Sequence, residues 1–145
     1  MRPIDLLFPE PIRGRAAVGL LLLRLYAGLA LMQHGKGKIA NPFHWMDGAP
    51  SHPPGFLQAL AALSEFGGGL ALVLGLLTPV ACFGIACTMA FAAYMHISRG
   101  DPFVGRGASF EPALGYLVTA VLLALAGPGV YSLDAPLGAK LRVRR

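Results

Sequence analysis

Charge is what this sequence has least of. Twelve Lys and Arg and seven Asp and Glu make up 13% of its 145 residues, about half the ~25% of soluble domains. With 55% apolar residues and a mean hydropathy of +0.61, a disordered chain is excluded. A soluble four-helix bundle needs a polar face on each helix, and Leu70–Leu77 and Leu117–Ala126 offer none. The pI near 9.7 is no sign of nucleic acid, because the basic residues do not gather along a face. Cysteine is scarce as well. Cys82 and Cys87 project ~140° apart on a helix, so they neither pair nor form a redox couple and are expected to be buried, inert thiols. No phosphate-binding glycine loop occurs, since Gly67-Gly68-Gly69 lies inside an apolar run and serves packing. No metal-ligand spacing occurs either, His44 and His52 being in a Pro/Gly-rich loop.

Long apolar runs are abundant. Phe56 to Ile97 carries one charge, Glu65. At ~20 residues per crossing it holds two helices, 56–77 and 79–97, joined at Thr78-Pro79, where proline suits a first turn. A further crossing at 16–33 is interrupted only by Arg24, and a short one at 112–127 opens at Pro112 and ends at Gly127-Pro128-Gly129. The expected fold is all-α: a single domain, 1–145, forming a four-helix transmembrane bundle with antiparallel up-down connectivity, loops at 34–55 and 98–111, and tails at 1–15 and 128–145. The long arm before Ala16 and the lack of a small-x-small site after the run argue against a signal peptide. Residues 4–11 suit the membrane surface, although Pro9 and Pro11 oppose a long helix there.

Lys and Arg counts set the orientation. The tails carry Arg2, Arg13, Arg15, Lys140, Arg142, Arg144 and Arg145; the loops carry Lys36, Lys38, Arg99 and Arg106. Both termini are therefore expected in the cytoplasm of a multi-pass protein of the cell (inner) membrane.

Ionisable groups at membrane depth are costly, face inward and tend to pair. Arg24 and Glu65 each lie ~13–15 Å from the outer ends of neighbouring helices, which predicts that they pair. Other polar groups gather at the same ends: His34, Tyr94, His96, Glu111, Tyr116, and Gln58 seven residues before Glu65. A ridge of Gly84, Thr88, Ala92 and His96 lets a neighbouring helix approach. Together they suggest a polar pocket open toward the outer leaflet, with Arg24 and Glu65 as the catalytic candidates and His34, Gln58, Tyr94, His96, Glu111 and Tyr116 as ligand-binding candidates. His and Tyr would hydrogen-bond a quinone-like ring, Arg24 would stabilise negative charge, and Glu65 would relay protons. Haem between His34 and His96 is disfavoured, because both stand at helix ends and no Cys-x-x-Cys-His motif exists.

These same residues carry a family resemblance. Leu-Arg24-Leu-Tyr-Ala-Gly followed by His34-Gly35 and Lys38, Glu65-Phe-Gly-Gly-Gly-Leu running to Leu-Leu-Thr-Pro79, the Glu111-x4-Tyr116 pair and the ending Gly127-Pro-Gly-Val-Tyr-Ser-Leu-Asp134 resemble, in order, the motifs of the DoxX family of small membrane proteins over about residues 16–137. The resemblance implies a four-helix membrane protein associated with oxidoreductases; the family takes its name from a subunit of an archaeal quinone-linked enzyme, and other relatives look like accessory proteins. The loop 41–55, with His44, Trp45, Asp47 and four prolines, is more elaborate than the usual pattern and is placed to cover the pocket or to dock a partner.

With no redox-cofactor motif of its own, the chain is read as a redox-associated membrane subunit, not catalytic alone, with a quinone-like or other small-molecule site. The alternative is a non-catalytic structural or assembly subunit of a larger membrane complex. A transporter or proton path, built by a homodimer, lacks the usual repeat or broken helix. The partners implied are the lipid bilayer and a membrane or redox protein or a second copy, with no nucleic acid.

Overall fold

Glycine and proline set the ends of the helices. The computed structural model describes residues 3–49 and 52–143, in six helices: α1 Pro3–Leu7, α2 Gly14–Ala40, α3 Gly55–Leu74, α4 Thr78–Ser98, α5 Glu111–Ala126 and α6 Asp134–Val143. Arg2, Pro50, Arg144 and Arg145, used in the charge and loop arguments, lie outside the described residues. No strand occurs among the described residues. By length and apolarity α2, α3 and α4 can each cross a membrane, and α5, with 16 residues, is a shorter apolar helix.

The α3–α4 joint is tighter than the sequence suggests. Gly75, at φ 63°, ends α3: its N–H reaches the Leu72 carbonyl, and the Leu76 N–H reaches that of Ala71. This is the Schellman pattern, in which glycine takes the left-handed position without penalty. Leu77 is left-handed too, at φ 47°, where a side chain costs ~1–2 kcal/mol. Asp134 holds it there, its carboxylate accepting from the N–H groups of Leu77 at 2.7 Å and Thr78 at 2.9 Å.

At its other end α2 runs on. Instead of stopping near Gln33 it continues to Ala40, 27 residues in all, or ~40 Å. Glycines explain how it stays on α3: a Cβ on Gly28 would sit 2.6 Å from the Gly69 carbonyl oxygen, and one on Gly35 would sit 2.6 Å from the Phe66 nitrogen. The contacts therefore run in opposite order along the two helices, and the backbones nearly touch. A shared core of Leu20, Ala27, Leu31, Leu72, Cys82, Ile85, Met89, Ala120 and Leu123 draws on α2, α3, α4 and α5.

The exterior is apolar as well: Leu22, Leu60, Leu63, Phe83, Val118 and Leu125 are all exposed. So large an apolar surface marks a lipid-facing or docking exterior. At the tail end the two termini are knit together. The Val130 N–H reaches the Ile12 carbonyl, Arg142 donates to the Phe8 carbonyl, and its Nε lies 3.5 Å from Asp5 Oδ1.

Candidate functional site

The expected Arg24–Glu65 pair does not form. The register fixed by Gly28, Gly35 and Gly69 sets Arg24 opposite Gly75, ten residues beyond Glu65, or ~15 Å along α3. Arg24 is fully buried; its Nη2 donates to the Tyr131 carbonyl at 2.6 Å, and a Cβ on Gly75 would strike its Nη1. Asp134 is the nearby charge that acts on it, and the last carbonyls of α3 add the negative end of a helix dipole. Arg24 lies deeper than the spacing suggests because α2 runs seven residues past Gln33. Arg24 thus belongs to the tail end, where it ties the segment after α5 to the α3–α4 turn.

Glu65 pairs instead with Lys38, Nζ to Oε1 being 2.6 Å. Lys38 reaches it because α2 stays helical past Gln33. The Glu65 side chain is 4% exposed, and its Oε2 has no hydrogen-bond partner among the described residues. A buried carboxylate oxygen left open is costly unless something meets it.

Glu65 is among the residues lining a groove of about 990 Å³ between α3 and α4. At the loop end the groove is polar: Lys38, Ser64, Glu65, Thr88, His96 and Arg99. Toward the tail end it is walled by Ala71, Leu76, Val80 and Phe83. Ser64 and Thr88 share a hydrogen bond of 2.5 Å across the helices, so the α3–α4 contact is itself polar at this depth. His96 is half-buried and held by Asp101, Nδ1 to Oδ2 2.7 Å. The ridge of Gly84, Thr88, Ala92 and His96 lines the groove throughout. Cys87 is free and exposed, in contrast to buried Cys82; of the two thiols expected in the core, one faces outward, as the ~140° separation of their positions requires.

The loop 41–54 closes the polar end. Trp45, Met46 and Pro53 line the groove, and the Lys38 ammonium lies 4.5 Å from the Trp45 ring centroid, a cation–π distance. Gln58 is what orders this loop. Its Oε1 accepts from the Met46 N–H, its Nε2 donates to the Pro53 carbonyl and to Asp47, and its carbonyl accepts from the Trp45 indole. Outside the membrane-spanning helices, the hydrogen bond from His44 holds the Asp47 carboxyl below the ordinary carboxylate range.

The remaining candidates lie elsewhere. His34 and Tyr116 meet edge to face across α2 and α5, centroids 5.8 Å apart, and do not line the groove. Tyr94 is exposed. Glu111 is exposed in the first turn of α5, where a negative charge suits the helix dipole. Of the candidate residues only Glu65 and His96 share the groove. Lys38 and Asp134 were the residues missed; both stand in the family-like motifs, but neither signals its partner locally.

The DoxX family model matches residues 19–97, a span that holds Arg24, Lys38, Glu65 and His96. "Inner membrane protein YqjF" of Escherichia coli (strain K12) is 33% identical over 129 residues, covering 85% of this chain and 95% of its own length. No solved structure matches the chain.

Proposed function

The chain belongs to the DoxX family, and on that footing we propose that it is a redox-associated membrane subunit holding a quinone-like ligand at the polar end of the α3–α4 groove. The observation that carries this is Glu65: buried in the groove wall, with one oxygen on Lys38 and the other open. A quinone carbonyl accepts from Lys38, a quinol hydroxyl donates to Glu65 Oε2, and His96 supplies a further hydrogen-bonding edge. Two-electron chemistry would reside on the bound quinone, with electrons exchanged with a partner protein that carries its own redox centre. Arg24, whose Nη2 donates to the Tyr131 carbonyl at the other end, does not line the groove and serves the fold.

In this reading α2, α3, α4 and α5 cross the inner membrane four times in alternating directions. The loop end faces outward and both termini lie in the cytoplasm, as the distribution of Lys and Arg favours. The second reading, an assembly subunit, is favoured by the exposed apolar strip Val118, Val121, Leu122 and Leu125 on α5, which would suit another helix as well as lipid.

The test is quinone titration of the protein purified in mild detergent. Loss of a charge-assisted hydrogen bond, worth ~1.5–3 kcal/mol, should weaken binding about tenfold or more in Glu65→Gln and in Lys38→Met. Binding as tight as the parent's in both variants overturns the assignment. A stoichiometric protein partner and no bound ligand would favour the second reading.

A further inference from the structure

Resting on the ligand site just proposed, we infer that the α3–α4 groove is a tail channel: its occupant is an amphiphile with one long hydrocarbon chain, and it enters sideways from the bilayer. Volume is the first argument. About 990 Å³ lies at the top of the ~300–1,000 Å³ range of small-molecule sites, more than a single ring fills. Polarity is the second. The charged groups gather at the loop end, among apolar residues such as Leu57 and Met95, whereas the tail end, with Ala71, Leu76, Val80 and Phe83, carries no charge. That division matches a polar head on an apolar chain.

Length is the third. From His96 to Val80 the groove follows α4 for sixteen residues, about 24 Å, most of the ~30 Å hydrocarbon thickness. Access is the fourth. Phe83 is 72% exposed and Val80 52%, so the wall opens on the side where lipid lies. A Cβ on Gly67 would lie 3.1 Å from Leu63 Cδ1 of its own helix and within 4 Å of nothing on α4, so the two helices do not touch there. The Lys38–Glu65 pair marks where the head stops, and Trp45 and Met46, which line the groove beside it, block passage beyond.

The experiment compares two probes on the purified full chain: the tail-less ubiquinone ring, and ubiquinone with its full isoprenoid tail. Three variants accompany the parent. Ala71→Phe and Val80→Trp narrow the trough away from the charged end; Leu125→Trp, on the exposed face of α5, controls for partition into detergent. Thermal unfolding of each variant confirms its fold. The expected result is that the tailed probe binds the parent and Leu125→Trp at least about tenfold more tightly than the ring. In Ala71→Phe and Val80→Trp that preference falls to near unity while ring affinity is unchanged. Equal affinity for ring and tailed probe in the parent, or a preference that survives both trough variants, overturns the channel and leaves the ligand site standing. Displacement of the tailed quinone by a single-chain lysophospholipid of equal chain length, with no ring binding, keeps the channel and overturns the quinone reading. Absence of binding by either probe overturns both.

Discussion

Asp134 caps a helix that begins 56 residues before it. Its carboxylate takes the two N–H groups at the start of α4, one of them on Leu77, the non-glycine residue at positive φ among the described residues. Removing it leaves buried donors open and the strained turn unheld. Asp134→Ala should therefore lose about 2–4 kcal/mol, read as a lower denaturation midpoint in detergent. Leu77→Gly relieves the left-handed cost and should gain up to ~1 kcal/mol; a loss there would refute the strain account. Both residues lie at the tail end, Leu77 in the groove wall itself but twelve positions along the chain from Glu65, so neither change should alter the affinity for a tail-less ring.

At the scale of the element, the α2–α3 pair depends on glycine at close approach. Gly35 and Gly37 are two positions apart in one helix yet differ sharply. A Cβ at Gly35 would sit 2.6 Å from the Phe66 backbone nitrogen, whereas at Gly37 it would meet nothing within 4 Å. Gly35→Ala should cost about 1–3 kcal/mol and disturb the Lys38–Glu65 contact, because it pushes the two helices apart. Gly37→Ala should be neutral or stabilising by up to ~1 kcal/mol. Thermal melts of the two variants side by side check this, and equal melts would show that the approach is not constraining. The loop 41–54 supplies a pH prediction. The His44 contact lowers the Asp47 carboxyl, so its ordering effect is full above the ordinary carboxylate value and is lost as pH falls through the lowered one. Trp45, the single tryptophan, reports it: its fluorescence should shift at acid pH below the usual carboxylate midpoint, and His44→Ala should move the transition up.

For the whole molecule, the charge distribution predicts where the ends lie. A reporter fused after Arg145 should be active only in the cytoplasm; activity outside the membrane would reverse the topology. Much of the architecture was legible in the sequence. The near absence of charge from Phe56 to Ile97 marked two helices and a joint and Glu65 stood out as buried, whereas the ridge ending at His96, expected as a helix-packing seam, lines the groove. The length of α2 was hidden, because Gln33-His34-Gly35-Lys36-Gly37-Lys38 reads locally as a polar, glycine-containing loop. Only packing on α3 keeps it helical. Ending α2 at Gln33 removes seven residues, most of the ten-residue offset along α3 that sets Glu65 beside Lys38 instead of Arg24. The cap at Asp134 was equally silent, since it depends on a contact that closes only when the tail folds back.

In the proposed four-crossing arrangement the helices are unequal. The 16 residues of α5 reach ~24 Å, about 6 Å less than the hydrocarbon thickness of a typical bilayer, while α2 exceeds it. Such mismatch is relieved by thinning the lipid on one side and by tilting the long helix on the other. The protein would then carry a lopsided dent in the membrane with it, shallowest beside α2 and deepest along α5. Neighbours with a short span of their own would meet least resistance there, so bilayer thickness could sort the company this chain keeps.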